Sequence, residues 1–375
     1  MISENLAQFF QSQGHEVIVV CGAYSTVAFS GPDTHKLDIY RIPSWTFPKT
    51  RFSFNFDINF CLKPGNKRRV ADVLDEFNPD VVHIHGQFLD LSWKALSWCR
   101  RRAVPSVLTL HTRLNNPNWL INLFFWILDK YLVALILRRN PPTRVISIDS
   151  KFDTYIEKRY KAIAANRLNI PVGVNLTQFL VAETRKSRVN TVPVIGSIGH
   201  IIATRNRRTL LYSIAMLQKR YPGISVVLCG NDYLSSSIDS LIRRLGIEDF
   251  VLKKGPVAHH DIPKLLDEFD LEIHDLDGIG YNLATIESMA RGVPTIISTP
   301  RDYYQHALLE DGKHSLIVKP ENVDDLCEKI VLLLEDVELY KTISRGGNSF
   351  AKENFDLKKV GIAYLKLFSD ISAKS

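Results

Sequence analysis

The side chains best equipped for chemistry fall in three places. The first is residues 277–294 (DGIGYNLATIESMARGVP), which join a glycine loop to a carboxylate, Glu287. Gly278 and Gly280 leave the backbone bare, so it can come close to a ligand there. Leu283, Ile286, Met289 and Ala290 recur at helical spacing, and Gly292 followed by Pro294 supplies the cap and breaker that end a helix. The start of that helix would present unpaired N–H groups and a partial positive charge to the loop, which suits a phosphate. Glu287 falls in the second turn, near the same end. On these residues alone, an ordinary loop turning into a helix explains the pattern equally well.

The second place is Arg205-Asn206-Arg207-Arg208, just ahead of the apolar spacing Leu210, Leu211, Ile214, Leu217. Cations at a helix start oppose the helix dipole unless an anion sits there. A guanidinium grips phosphate in a two-pronged fork, so these arginines suit a diphosphate. A solvated helix end is the plain alternative. The third place holds two histidines, His85 in PDVVHIHG and His111 in PSVLTLHT, each closing an apolar run. A lone histidine at a strand end is most often a hydrogen-bonded structural residue.

These residues need a frame, and the order of elements supplies one. Residues 5–10 read as a helix with one apolar face, ending at Gly14, and residues 16–21 (EVIVVC) as a buried strand. Residues 23–65 are aromatic and turn-rich, with Phe52, Phe54 and Phe56 in strict alternation, as in a strand or a binding loop. A helix is predicted from Asn66, a strand over 81–86, a helix over 89–101 and a strand over 104–112. Residues 144–148 follow as a strand and 150–161 as a basic helix, and the polar run 182–190 is the best linker candidate. Beyond it, strands at 192–198, 225–230, 250–257, 271–274 and 295–298 alternate with helices, and three helices, at 322–335, 337–353 and 357–371, close the chain. Such alternation implies parallel, doubly wound sheets, whose ligands sit beyond the carboxyl ends of the strands.

Charge is uneven along the chain. The first 190 residues carry 25 Lys and Arg against 15 Asp and Glu, and the rest carry 22 against 25. All five tryptophans (Trp45, Trp93, Trp98, Trp119, Trp126) also lie in the basic half. That combination points to an anionic surface, with lipid head groups ahead of nucleic acid because no nucleic-acid-binding motif is present. The bland alternative is core tryptophans and solvated charges. Residues 117–139 are the most apolar stretch, but Asn122, Asp129 and Lys130 interrupt a membrane span. They read as one or two amphipathic helices, with Trp119 and Trp126 suited to shallow insertion; a helix buried against a sheet is the alternative. The five cysteines are scattered, without a CxxC pair, which argues for reduced thiols in a cytosol.

The segment GIGYNLATIESMARGVPTII resembles the donor site of the GT-B glycosyltransferases, specifically the large retaining family 4. PSVLTLHT is similar to the strand where that family carries its active-site histidine, and residues 169–175 to its turn before the interdomain linker. The resemblance implies an α/β fold of two Rossmann-like, doubly wound parallel-sheet domains facing a cleft. Residues 1–181 would be the acceptor-side domain, 190–353 the nucleotide-sugar domain, and 354–375 a helix crossing back to the first. Residues 14–17 (GHEV) match the end of the family's first helix, which a strand and a glycine loop normally precede, so a late start of this chain is expected.

What the resemblance implies for the site follows residue by residue. Glu287 would hold the donor ribose, His111 would contact the donor sugar, and Arg205 would stand where the family has a diphosphate-binding lysine. Ser197 occupies the position of the family's other phosphate-binding cation, and Ile279 that of its sugar-holding acid. Asp277, two residues before Ile279, is the acid that could replace it. The implied reaction is retaining transfer from a UDP- or GDP-sugar, with no metal and no other cofactor. The expected acceptor is a glycan or a lipid-linked molecule at the cytoplasmic face of a membrane, and nucleic acid is not an expected partner. A non-catalytic partner of the same fold and a sugar-nucleotide epimerase are the rival readings.

Overall fold

The computed structural model describes residues 2–23, 37–47, 58–114, 118–180, 192–202, 205–278 and 280–373. The predicted linker 182–190, the alternating Phe52, Phe54 and Phe56, and Ile279 lie outside the described residues. The chain forms two compact units, Met1–Gly173 with Leu357–Ser375, and Val174–Asp356.

The first unit opens with α1 (Ile2–Ser12), β1 (Ile18–Gly22), β2 (Asp38–Ile42), β3 (Trp45–Phe47) and β4 (Ile58–Phe60). It continues through α2 (Asn66–Phe77), β5 (Val82–His85), α3 (Asp90–Arg102), β6 (Ser106–Thr109), α4 (Trp119–Ile127), α5 (Ala134–Arg139), β7 (Arg144–Ser147), α6 (Ser150–Arg159) and β8 (Arg167–Asn169). Strands β5-β6-β7-β8 form one parallel sheet, β1 and β2 a second parallel pair, and β3 and β4 an antiparallel pair. Successive side chains of a strand face opposite sides, and here that alternation divides the core. Val107 and Ile146 enter a cluster with Leu6, Phe9, Phe10, Val360 and Tyr364, whereas Leu108 and Val145 enter one with Leu96, Leu137, Phe152 and Ile156. The last helix of the chain, Leu357–Ser372, thus packs beside α1 in this unit. Strands β1 and β5 sit in different sheets, and residues of both line one apolar cavity of about 1840 Å³.

The second unit contains β9 (Val194–Ile198), α7 (Arg207–Leu217), β10 (Ser225–Cys229), α8 (Ser235–Leu245), β11 (Val251–Gly255), α9 (Ile262–Asp267), β12 (Leu271–Ile273), α10 (Leu283–Ala290), β13 (Thr295–Ile297), β14 (Leu316–Ile317), α11 (Val323–Glu335) and α12 (Val337–Phe355). Its strands run in the order β11-β10-β9-β12-β13-β14 and every pairing is parallel. Helices cover both faces, so the strands read as near-continuous apolar runs. The chain leaves β9 toward β10 on one side and returns to β12 on the other, which makes the β9–β12 boundary the topological switch point.

The apolar stretch predicted as one or two amphipathic helices is a single helix, Trp119–Arg139, long and apolar enough by length and composition to cross a membrane. A π-helical segment, Leu128–Val133, joins α4 to α5. One face is anchored to its own unit: Asp129 is buried and accepts hydrogen bonds from Tyr155 and Tyr160, with Arg159 nearby. The other face leaves Trp119, Leu120, Leu123, Phe124, Ile127 and Tyr131 exposed. Trp126 does not share that exposure, because Lys130 and Arg159 lie over its ring.

Candidate active site

The site is built at the switch point of the second unit. Strand β9 ends at Ile198, and Gly199 follows with φ of 137°, a conformation that favours glycine. A Cβ at Gly199 would stand 1.8 Å from Nη1 of Arg205, so the guanidinium lies directly over this bare backbone. Arg205 Nη1 is 2.7 Å from Nε2 of His274, the residue that follows β12. Asn206, also left-handed at φ 42°, caps α7 by accepting the Thr209 N–H. Arg207 is buried in the first turn; its Nη1 donates to the His274 carbonyl at 2.7 Å, and its Nη2 lies 3.2 Å from Nδ1 of the same ring.

Burial, then Arg207 and Arg205, push the His274 pKa well down, so the ring is neutral. A neutral imidazole has one acceptor nitrogen. Both ring nitrogens face a guanidinium, which only donates, so only one of the two contacts is a hydrogen bond; the shorter assigns it to Nε2, which accepts from Arg205. Glu272 is fully buried, and burial raises its pKa to about 8. Asp275 is raised to about 7, again by burial, with Arg205 and Arg207 opposing. Asn282 Nδ2 donates to both oxygens of Asp275, at 3.2 and 2.9 Å, while its Oδ1 accepts the Ala284 N–H at 3.0 Å. Asn282 is thereby the N-cap of α10. A polar cluster therefore gathers at the switch point: Arg205 donates to His274 and is attracted by Asp275, which accepts from Asn282 at the start of the motif helix.

Glu287 lies five residues beyond that cap, buried in the second turn of α10. Its Oε1 is 2.8 Å from Nε2 of His259, and His259 Nδ1 is 3.0 Å from the amide nitrogen of Gln178. A carboxylate only accepts, so His259 donates from Nε2 and, when neutral, accepts from Gln178 at Nδ1. The bond to Glu287 raises the His259 pKa.

Other expected site residues take different places. Ser197 is fully buried within β9, and its hydroxyl donates to the Ile273 carbonyl of the neighbouring strand, so it is committed to the sheet. Gly278 and Gly280 both have positive φ, but the space a side chain would occupy is taken by Pro320 and the Tyr303 ring respectively. The bare-backbone room expected for a ligand on that side is filled by protein. Asp277 is half-buried and supports the charge of Arg205. Asp275 and Asp277 have the Asp-x-Asp spacing of a metal-holding pair, but Asp275 faces two guanidinium groups and the Asn282 amide. Among the described residues no group of three or more His, Cys, Asp or Glu could hold a metal ion. Sequence reasoning gave Arg207 only as one of three arginines suited to a diphosphate and missed His274, Asp275, Asn282 and His259; only the position of His274 and Asp275 at a strand end beside the motif hinted at what Arg205 touches.

In the first unit His111 lies two residues past the end of β6. Its Nε2 is 2.8 Å from Nδ1 of His85, and the two rings are stacked with centroids 5.1 Å apart. Its Nδ1 is buried without a hydrogen-bond partner. Burial lowers the pKa to about 4.

Two parallel-sheet α/β units, one with the strand order just described, define the GT-B class. The structure superposes on Anabaena Alr3699/HepE, a protein solved in complex with UDP, with a TM-score of 0.75 over 98% of this chain and 96% of that one, at 17% identity. The chain belongs to the glycosyltransferases: residues 3–178 match Glycosyltransferase Family 4 and residues 182–350 match Glycosyl transferases group 1. Among curated relatives, it is 24% identical over 43% of its length to mannosylfructose-phosphate synthase of Agrobacterium fabrum. It is 19% identical over 54% of its length to poly(ribitol-phosphate) alpha-N-acetylglucosaminyltransferase of Staphylococcus aureus. These matches span 37% and 41% of the relatives' own lengths.

Proposed function

We propose that this chain transfers a sugar, with retention at the anomeric carbon, from a UDP- or GDP-sugar to a glycan or lipid-linked acceptor at the cytoplasmic face of an anionic membrane. The observation that carries the donor half is the cluster at the switch point, where Arg205 contacts His274 and faces Asp275, itself held by Asn282. A diphosphate leaving group gains negative charge, and a preorganised guanidinium beside a helix start stabilises it. Arg205 supplies the cation, α10 the helix start, and Glu287 the carboxylate for the ribose hydroxyls. No metal takes part in this scheme, because the guanidinium takes the charge; turnover that survives EDTA is expected. The UDP bound in Anabaena Alr3699/HepE supports a uridine donor.

The acceptor half rests on the exposed face of the 119–139 helix and the basic charge of the first 190 residues. Interfacial helices bury such a face in the head-group region, assisted by cations. The free cysteines fit a reducing compartment. The commitment of Ser197 to the sheet and of Glu287 to His259 favours a second reading, a partner that binds a nucleotide without turnover.

Calorimetric titration with UDP and GDP, alongside turnover of their sugars, tests the donor half. Arg205→Ala and Glu287→Ala are expected to weaken nucleotide binding at least tenfold. Binding by the parent protein without turnover under any donor would favour the partner reading, and no binding at all would end both. Flotation with anionic liposomes at low salt tests the surface: binding is expected, with loss in Trp119→Ser/Phe124→Ser. Indifference to liposomes would remove the membrane from the proposal.

A further inference from the structure

At the switch point of the second unit a guanidinium already has an anion beside it. Nε2 of His274 is 2.7 Å from Nη1 of Arg205 and 3.4 Å from Oδ1 of Asp275, so guanidinium and carboxylate are neighbours across one ring nitrogen. Asp275 is buried, and Asn282 donates to both of its oxygens. Arg205 and Arg207 favour the charge of that carboxylate from the start of α7, and Asn282 favours it from the cap of α10. Glu272, on β12, and Asp277, beyond it, oppose the charge, while the neutral His274 ring adjoins it.

A diphosphate on Arg205 competes with Asp275 for the same guanidinium. Like charges brought together raise each other's affinity for a proton. A terminal phosphate loses its proton at about pH 6, whereas burial already holds the Asp275 carboxyl at about 7. Asp275 is therefore the group that yields. Its protonated form is neutral, keeps an acceptor oxygen for Asn282 and leaves Arg205 to the phosphate. Glu272 is the other buried carboxyl here. The charge that chiefly opposes burial is Arg205 for Asp275 but Arg207 for Glu272, so an anion on Arg205 acts first on Asp275.

We infer that Asp275 takes up a proton when a nucleoside diphosphate binds: as the anion settles on Arg205, a proton from solvent forms an O–H bond at the Asp275 carboxylate, and departure of the anion releases it. The inference rests on the proposed role of Arg205 as the diphosphate ligand. It gives the site a bias between donor and product. A free nucleoside diphosphate carries one more negative charge than the sugar-bearing donor. Uptake is therefore larger with the product, and product binding weakens more steeply than donor binding as pH rises.

Calorimetric titration of UDP into the full chain at pH 8, in two buffers of different ionisation enthalpy, counts the protons without any turnover. The expected result is uptake of roughly half a proton per UDP, and an affinity that falls about threefold or more between pH 7 and pH 8.5. Asp275→Asn is expected to lose the uptake and flatten the pH dependence. Glu272→Gln is expected to keep both, which separates Asp275 from the other buried carboxyl. Carboxyl carbon-13 spectra of the parent give a second reading that needs no variant: the Asp275 titration midpoint should rise by about one pH unit or more when UDP is added. UDP binding without proton uptake, uptake that persists in a folded Asp275→Asn, or an Asp275 midpoint that UDP leaves in place would each overturn the inference and leave the donor reading standing. No UDP binding at any pH would instead end the donor reading, and this inference with it.

Discussion

Glu272 shows how far one residue can depart from its usual chemistry. Both of its carboxylate oxygens are buried without a hydrogen-bond partner, and its pKa stands near 8. At pH 5 the folded protein holds a neutral carboxyl there, which an amide imitates closely in shape and charge. At pH 8 the fold must either keep that proton or bury a charge, and both are unfavourable relative to an unfolded chain that ionises freely. Glu272→Gln removes the titration. It should change stability little at pH 5 and raise it by roughly 1 kcal/mol or more at pH 8, read by urea denaturation at the two pH values. A variant equally displaced at both would show that Glu272 contributes through its packing and not through its proton. The sequence holds no sign of this: Glu272 lies between Leu271 and Ile273 in a predicted strand, and a glutamate there reads as a surface residue. Its burial comes from β9 and β13 on either side and from Arg207, which is 65 positions away along the chain.

Elements were more legible than the contacts between them. The parallel alternation, the motif helix and the closing helices follow from apolar period and from glycine, proline and asparagine stops, which act locally. The ends moved where tertiary partners decide them: β6 stops at Thr109, short of the predicted Thr112, and α7 starts at Arg207 because Asn206 caps it. The role of the motif glycines was not legible. The ring that fills the space at Gly280 belongs to Tyr303, and the atoms at Gly278 belong to Pro320, both supplied from well beyond the motif. The N-cap of α10 is the element on which the donor site turns. Asn282→Ala removes the acceptor for the Ala284 N–H and the donor to Asp275. An N-cap deletion costs about 1 kcal/mol, and here it also loosens the link between α10 and Arg205. Asn282→Asp would keep the cap yet set a second carboxylate against Asp275. Nucleotide affinity should fall in both variants, whereas thermal stability should fall more in Asn282→Ala at low pH. Unchanged affinity in a folded Asn282→Ala would separate the cap from the site.

At the scale of the whole molecule, buried histidines and buried carboxylates titrate in opposite directions; the first unit holds three such histidines, and the second holds His274 beside two such carboxylates. In the first, His83, His85 and His111 have folded pKa values below that of a free histidine, near 3 for His83 and near 4 for His111. The unfolded chain binds their protons first, so their contribution to stability is complete above about pH 6.5 and is lost as pH falls toward 4. In the second, Glu272 and Asp275 have folded pKa values raised to about 8 and about 7. The folded unit binds those protons more tightly, so their contribution is complete below about pH 4 and is lost as pH rises toward 8. Each group contributes a slope of at most about 1.4 kcal/mol per pH unit within its window. The five tryptophans all lie within Met1–Gly173, so tryptophan fluorescence follows the first unit alone. The fluorescence melting midpoint is expected to drop between pH 7 and pH 5. Circular dichroism, which sums both units, should show a second component whose midpoint drops between pH 6 and pH 8. His83→Gln should flatten the first dependence and Glu272→Gln the second, each without moving the other. Fluorescence and circular dichroism that coincide at every pH would mean that the units unfold as one body, and the opposed windows would then merge into a single stability maximum between them.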